Sequence, residues 1–393
     1  LCAVALALSG CATPVGVRHL DARQADRKLT ETVLSADTLS APTLQILKRA
    51  ALAKMARSDP AAAIAALHHG LPTAHHPDRL FALAELSFLH ATQGGKHPYY
   101  LSAAVYAYAF LFPAHGGAPP EPFDPRLRTA VDLYNQGLAR GFTEKETRIV
   151  DLQAGTYPLP FGELSVRADP NEFRWGPFRL VDFKSAAELH VRGLRNDYRW
   201  PGVGTPLVAT LKHVPGERVR EFTRVPSSLK VAATAFLHFE NIEEGLQSGR
   251  VTADLLLFTP QEGVSVDVGG RAVPLEYRPT SALAATLEGS QVYALELKGL
   301  LSGDLALVKK SARFKNNVFL MAPYMPGRIP LVLVHGTASS PARWAELLNE
   351  IVNDRELRHR YQVWLFTYNT GNPIPSSGGI LTQWLRGVVQ ELD

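Results

Sequence analysis

One stretch carries most of the information about the fold of this chain: Ile329-Pro330-Leu331-Val332-Leu333-Val334-His335-Gly336-Thr337-Ala338-Ser339-Ser340-Pro341. Leu331–Val334 is a continuous apolar run, which is typical of a strand buried on both faces of a parallel sheet. His-Gly then turns the chain, and a helix is predicted from Pro341 to about Asn353. A second strand is predicted over 361–368 and a second helix over 379–392. Strand, helix, strand and helix with short connections indicate a βαβ unit.

Five motifs occur in a fixed order around this stretch. They are a Pro-Gly-Arg-Ile-Pro lead-in, His335-Gly336, Ser-Pro-x-x-Trp from Ser340, Tyr-Gln-x-Trp-x-Phe from Tyr361, and Tyr-x-Thr-Gly-Asn-Pro from Tyr368. Together they resemble the opening of the α/β-hydrolase core of bacterial lipases, and in particular a subgroup of bacterial α/β-hydrolases that are often lipoproteins. The alternative is a nucleotide-binding or other doubly wound domain. The lack of a Gly-rich phosphate loop after Val334 weakens that alternative.

The resemblance implies roles for three residues that follow the first strand. The backbone N–H of Thr337 would form half of an oxyanion hole, and Gly336 would let the backbone approach the substrate. His335 would orient the loop and would not be the base of a catalytic triad. The resemblance also implies a serine esterase or lipase that acts on carboxylic esters, with an acyl or lipid substrate. The sequence gives no sign of a cofactor.

The nucleophile of such an enzyme is missing from the 393 residues. Its usual motif, Gly-x-Ser-x-Gly after the next strand, does not occur. Ser376 and Ser377 lack the upstream glycine and the strand, and Ser339 and Ser340 suit a cap or loop role. We therefore expect a chain truncated before the nucleophile elbow, with no catalytic residue of its own, and inactive. Whether it is a fragment, a frameshift or a natural truncation stays open.

An incomplete sheet has a structural cost. A parallel sheet must be covered on both faces, and this one normally has eight strands. We expect one end of the sheet to lie open, with apolar side chains exposed on Val363, Leu365, Trp384 and Val388.

Helix signals dominate the N-terminal third of the chain. Helices are predicted to start near residues 41, 60, 78, 98 and 125, several of them at a capping residue followed by proline. This spacing suggests helical hairpins of the tetratricopeptide type, although no full repeat consensus occurs. The uncharged stretch Tyr99–Ala114 favours a buried core helix over a membrane span, because it is too short to cross a bilayer.

A β-rich pattern follows in the middle of the chain. Strands are predicted over 207–211, 231–239 and 251–258, and two more flank Gly269-Gly270, which predicts a two-residue hairpin. An antiparallel sheet or a small sandwich fits this pattern. No catalytic constellation is visible here, and Trp175 and Trp200 are interpreted as packing residues.

The N-terminus resembles a bacterial lipoprotein signal. Residues 1–10 are uncharged and mostly apolar, which suits part of a signal peptide, and Leu8-Ser9-Gly10-Cys11 resembles a lipobox. The resemblance implies that Cys11 is lipidated and anchors the chain in a membrane. Ala12 is not the aspartate associated with inner-membrane retention. We therefore expect a location in the bacterial cell envelope, at the periplasmic side of the outer membrane in a Gram-negative source.

Composition excludes several other classes. The net charge of +4 does not argue for nucleic-acid binding, and two cysteines rule out a disulfide framework or a Cys-rich zinc site. The paired histidines His68, His69, His75 and His76 are interpreted as a solvated loop rather than a metal site. A non-enzymatic envelope lipoprotein, whose helical region binds an unknown protein partner, remains the second functional hypothesis.

These patterns together predict a multidomain protein of mixed α+β and α/β class. Its segments are a partial lipoprotein signal peptide (1–10), a helical, repeat-like region (11–155), a β-rich region (156–325) and the N-terminal part of an α/β-hydrolase domain (326–393).

Overall fold

The computed structural model describes residues 15–71, 76–94, 96–113, 117–214, 224–226, 228–288, 317–336, 339–369 and 371–392. The signal-like residues 1–10 and Cys11 lie outside the described residues.

The N-terminal region is helical, as predicted. Its helices are Ala22–Thr30 (α1), Val33–Ala36 (α2), Ala41–Arg49 (α3), Met55–Ser58 (α4), Pro60–His69 (α5), His76–Thr92 (α6), Pro98–Leu111 (α7) and Arg126–Gly141 (α8). Proline occupies the first turn of α3, α5 and α7, where its missing N–H costs no helical hydrogen bond. The predicted helix starts are confirmed to within a few residues.

Helix α7 forms the centre of this region. Every residue from Leu101 to Leu111 is buried, because the helix is apolar on all sides and α6 and α8 pack against it. The prediction of a core helix at Tyr99–Ala114 is confirmed as far as Leu111, where α7 ends, and Ala114 lies outside the described residues. Of the described helices, none combines the length and the apolar character needed to cross a bilayer.

The middle region forms a seven-stranded sheet. Its strands are Gly155–Leu159 (β1), Gly162–Ala168 (β2), Arg174–Trp175 (β3), Phe178–Ser185 (β4), Thr205–His213 (β5), Lys230–Glu240 (β6) and Arg250–Phe258 (β7). The order is β1-β2-β7-β6-β5-β4-β3, and every neighbouring pair is antiparallel except β2 and β7. A mostly antiparallel sheet is one of the two arrangements that the sequence predicted.

A hairpin and two helices complete the middle region. They are Ile242–Ser248 (α9), Ser265–Val268 (β8), Arg271–Pro274 (β9) and Pro279–Glu288 (α10). Gly269 and Gly270 both adopt positive φ, at 61° and 78°, as the tight turn between β8 and β9 requires. The predicted two-residue hairpin is therefore confirmed.

The C-terminal region is built on a three-stranded sheet. Its elements are Asn317–Leu320 (β10), Ile329–Val334 (β11), Ala345–Asn353 (α11), Arg355–Arg360 (α12), Tyr361–Thr367 (β12) and Ile374–Leu392 (α13). The order is β10-β12-β11, with β11 parallel and β10 antiparallel to β12. The predicted parallel strand–helix–strand unit is present, and β10, which precedes residue 326, also pairs with it.

The helices cover the two faces of this small sheet separately. Val363 and Leu365 of β12 pack with Leu333 against α11, whereas Trp364 and Phe366 lie on the opposite face with Val388 of α13. This alternation follows from the two-residue period of a strand. One continuous core cluster links the helical region, the large sheet and α13, from Val33 to Val388.

Two predictions about exposure are wrong. Strand β11 is not buried on both faces: Leu333 is its only fully buried residue, and Ile329 and Val334 are 49% and 40% exposed, because β11 is an edge strand in the described residues. Conversely, Val363 and Val388 are buried, since α11 covers Val363 and α13 packs Val388 on the face of the sheet that carries Trp364 and Phe366. Leu365 and Trp384, which were also expected to be exposed, are half-buried.

Candidate functional site

The carboxyl ends of β11 and β12 meet at one corner of the small sheet. His335 follows β11 and Tyr368 follows β12, and the parallel pairing brings these ends side by side. In open α/β sheets, ligands bind outside the carboxyl ends of the parallel strands. This corner therefore holds the residues that the sequence singled out.

The backbone and Tyr368 hold His335 in place. The imidazole is 4% exposed and stacks on the Tyr368 ring, with 4.6 Å between ring centroids. The Tyr368 hydroxyl donates to the His335 carbonyl oxygen over 2.7 Å. Nδ1 of His335 lies 3.1 Å from the carbonyl oxygen of Gly336 and donates to it when it carries the proton, because a carbonyl oxygen only accepts. These contacts tie the side chain to the loop backbone.

Gly336 lies beside open space. A Cβ built on this residue would meet none of the described atoms within 4 Å, so packing does not account for the glycine. Its backbone is exposed at the end of β11, where a ligand could approach it closely. Thr337, the predicted oxyanion-hole donor, lies outside the described residues.

The nearby serines occupy structural positions. Ser340 caps the short 3₁₀-helix Pro341–Trp344, because its hydroxyl accepts from the backbone N–H of Ala342 over 3.2 Å. Ser376 and Ser377 lie in the first turn of α13, which begins at Ile374 rather than near residue 379 as predicted. A nucleophile elbow places its serine on a sharp turn between strand and helix, and neither residue has that position.

The histidine pairs do not form the solvated loop that was predicted. His68 and His69 end α5, His76 begins α6, and His75 lies outside the described residues. The Nδ1 atom of His68 is 2.9 Å from the Tyr106 hydroxyl, and its ring stacks on Phe161 at 4.5 Å. Burial lowers the pKa of His68. Within the described residues, no group of three or more His, Cys, Asp or Glu could hold a metal ion.

A buried carboxylate that the sequence did not reveal lies between α8 and the residues after β9. Glu276 is 2% exposed and pairs with Arg199, whose Nε is 2.8 Å from Oε1. The Asn135 amide donates to Oε2 over 3.0 Å. Burial raises the pKa of Glu276 to about 7, against the opposing effect of the Arg128 guanidinium. The only sequence signal was a single acidic residue within the apolar run Val273–Tyr277.

Comparison with known proteins gives no relative: no family model matches the chain, and neither a curated protein nor a solved structure matches it. The site must therefore be interpreted from its own geometry.

Among the described residues, this corner can position a backbone for a ligand. It offers a fixed imidazole and an exposed glycine backbone at the end of a parallel strand. The 393-residue sequence contains no Gly-x-Ser-x-Gly elbow to supply a nucleophile beside them.

Proposed function

We propose that residues 317–392 form the oxyanion side of an α/β-hydrolase-type domain, and that the complete domain hydrolyses carboxylic esters with an acyl or lipid part through a serine nucleophile. One observation carries the proposal: among the described residues, His335-Gly336 ends a parallel edge strand, and no described atom fills the space beside Gly336. An oxyanion hole needs a backbone that a reacting carbonyl oxygen can reach.

The arrangement of helices supports a position for the missing nucleophile. A connection between two parallel strands is right-handed. A crossover helix on one face of a sheet therefore places the next strand on one side of the preceding strand, and a helix on the other face places it on the opposite side. Helix α11 covers one face between β11 and β12, and α13 covers the other face after β12. A parallel strand that follows α13 would therefore lie on the β11 side of β12, and it would pair with the free edge of β11. Its carboxyl end would then lie beside Gly336.

This placement gives each group a role in ester hydrolysis. The serine at the end of the added strand attacks the ester carbonyl carbon, and the carbonyl oxygen becomes an oxyanion. The N–H of Thr337 and the N–H after the serine donate to that oxyanion, while His335 keeps the loop in position. A base outside the 393 residues takes the serine proton and returns it to the alcohol as the ester C–O bond breaks, which leaves an acyl-enzyme. Water, deprotonated by the same base, then releases the carboxylic acid and restores the serine.

We extend the proposal to the membrane anchor. Acylation of Cys11 would hold the protein on the envelope membrane, close to acyl esters and lipids. Stable anchoring requires more than one lipid chain, which a diacylglyceryl cysteine provides. Mass spectrometry of the N-terminal peptide from a membrane fraction tests this part. An unmodified Cys11 still preceded by Gly10 would overturn it.

The enzymatic part is tested in two steps. The first is to read the coding sequence after codon 393, where the proposal expects a strand, Gly-x-Ser-x-Gly and a helix, in frame or after a frameshift. The second is to assay the encoded protein with p-nitrophenyl esters and a fluorophosphonate probe. A verified stop codon there would favour the non-enzymatic envelope lipoprotein instead.

The 393-residue chain serves as the matched control. Loss of the nucleophile costs such enzymes on the order of 10⁶-fold in rate, so we expect no hydrolysis above background and no probe labelling. Stoichiometric labelling of any serine, lost when that serine becomes alanine, would show that the nucleophile lies elsewhere in the chain.

A further inference from the structure

A cavity of about 140 Å³ lies where β6, α10, α11 and the amino ends of β11 and β12 meet. His335 follows the carboxyl end of β11, so the cavity and the candidate site lie at opposite ends of that strand. A ligand in this cavity would therefore not touch the candidate site.

The walls of the cavity are mainly apolar. They include Trp175, Leu229, Val231, Leu283, Leu348 and Ile351. An engineered apolar cavity of similar size, about 150 Å³, binds benzene. The space therefore suits an apolar group of about six carbon atoms.

Positive charge lines one side of the same cavity. Arg328 and Arg358 contribute to it, and His359 also lines the cavity, where burial lowers the pKa of its imidazole. In the described part of the chain, no carboxylate oxygen lies within 4.0 Å of the nitrogens of either guanidinium. The Nε of Arg358 is buried and has no hydrogen-bond partner among the described residues.

The charges in this group repel one another. Burial lowers the pKa of Arg358, and the positive charges of Arg355 and Arg328 lower it further, against the opposing effect of Asp354. Burial also lowers the pKa of Arg328. Asp354 itself caps α12 by accepting from the N–H of Leu357 over 2.8 Å. An anion at the cavity would relieve this repulsion.

Contacts hold the Arg358 guanidinium and the backbone of Arg328 in place before any ligand arrives. The guanidinium of Arg358 lies over the Trp200 ring, 4.0 Å from its centroid. The buried Gln362 amide bonds the backbone that carries Arg328: it donates to the carbonyl oxygens of Met325 and Arg328 over 3.2 and 2.9 Å and accepts from the N–H of Met325. Such preorganisation lowers the entropy cost of binding.

We propose that this cavity binds a small amphiphilic carboxylate, with an apolar part of about six carbons among the walls and its carboxylate between Arg328 and Arg358. The planar guanidinium matches a carboxylate through paired hydrogen bonds, and the apolar walls contact the tail. The proposed ligand is a free acid in solution rather than the acyl chain of a bilayer lipid.

Isothermal titration of the full chain with hexanoate tests the proposal. We expect saturable binding in the millimolar range. Hexan-1-ol, which keeps the tail, and acetate, which keeps the charge, should each bind at least about tenfold more weakly. Leu283→Phe, which fills the cavity, should abolish hexanoate binding without lowering the thermal unfolding midpoint.

Charge variants locate the carboxylate. Arg328→Gln and Arg358→Gln should each weaken hexanoate binding about tenfold or more. Arg355→Gln is the matched control, because Arg355 is exposed on the same helix as Arg358 and does not line the cavity, and it should change affinity by less than about threefold. Arg358→Gln also removes the contact with Trp200, so Arg328→Gln is the decisive variant.

Four results would overturn the proposal. They are equal binding of hexanoate and hexan-1-ol, no saturable binding of hexanoate up to its solubility limit, equal effects of Arg355→Gln and Arg328→Gln, and binding to anionic phospholipid vesicles without binding of free hexanoate.

Discussion

Similar apolar sequences are buried to different extents in two parts of the protein. One part is the main body, α1–α10 with the seven-stranded sheet, and the other is the small sheet β10-β12-β11. In the main body, the apolar run of α7 is buried at every residue from Leu101 to Leu111, because helices and strands surround it. In the small sheet, the run Leu331–Val334 has one fully buried residue, since β12 alone pairs with its strand in the described residues. The number of neighbouring elements, more than the hydrophobicity of a run, determines its burial.

The largest expected effect tests this difference with one substitution in each part. Leu83→Ala in α6 removes a fully buried side chain and should lower the free energy of unfolding by about 3–5 kcal/mol. Leu331→Ala on the edge strand should lower it by only about 1–2 kcal/mol, because that site is half-buried. Urea denaturation followed by circular dichroism measures both. Equal losses would contradict the comparison.

The pH dependence of stability should come from the main body. Glu276 has a folded pKa of about 7, above its ordinary value, so the folded protein binds its proton more tightly than the unfolded chain does. Its contribution to stability is complete below about pH 4.5 and is lost as the pH rises through about 7. The expected loss is about 2–3 kcal/mol. Glu276→Gln should flatten the dependence of stability on pH in this range. Because burial also raises the pKa of Glu85, a weaker decrease of stability with rising pH should remain.

Glu350 of α11 provides the contrast. The hydrogen bond from Tyr198 lowers its pKa, so its contribution is lost as the pH falls rather than as it rises. Glu350→Gln should therefore leave the profile between pH 4.5 and 7 unchanged. Thermal unfolding midpoints of both variants, measured between pH 4.5 and 7, test this contrast. An unchanged slope in Glu276→Gln would contradict the pH dependence assigned to its buried carboxylate.

Two tyrosines test the same contrast through hydrogen bonds. The buried Tyr134 hydroxyl donates to the carbonyl oxygen of Leu237 over 2.8 Å and accepts from its N–H over 2.9 Å. Tyr134→Phe leaves both groups unpaired and should cost about 2 kcal/mol. Tyr368→Phe removes the single bond to His335 at a half-buried site and should cost about 1 kcal/mol or less. A larger loss at Tyr368 would mean that the small sheet depends on its loop more than we expect.

The smallest effect concerns the free edge of β11. Val334 is 40% exposed, so Val334→Lys should change the free energy of unfolding by less than about 0.5 kcal/mol. A lysine on an edge strand opposes pairing with other chains, so the variant should self-associate less. Sedimentation velocity over a concentration series measures this. Val334→Thr, which keeps the β-branched shape without adding charge, is the control.

Local patterns in the sequence predicted much of the secondary structure. Proline after a capping residue placed the starts of α5 and α8, and Gly269-Gly270 placed a hairpin, because these signals act within a few residues. The unit β11-α11-β12 followed from apolar runs at short spacing. Strands β1 and β2 were missed because they have few buried residues and no apolar run. Strand β4 was also missed, although its alternating pattern is typical of a half-buried strand.

Local sequence signals could not predict which distant strands pair with each other. Nothing near residues 162–168 indicates that they pair in parallel with β7, or that β10 joins the small sheet. At the candidate site, His335 and Gly336 were named from sequence, but the stacking of Tyr368 on His335 depends on two strands meeting. Glu276 and the cavity cations were missed for the same reason, because their partners come from distant segments.

The pairing of β2 with β7 has a consequence for synthesis. Helix α7 ends at Leu111, whereas the strand that joins the two parts of the large sheet is complete only at Phe258. At the usual rate of translation, roughly ten seconds separate these points. During that interval the apolar surface of α7 lacks β6, against which Tyr108 finally packs through Phe236 and Phe239. The exposed apolar surface of α7 can aggregate with other chains during synthesis. A chaperone that binds α7 until residue 258 has emerged would therefore raise the yield of folded protein.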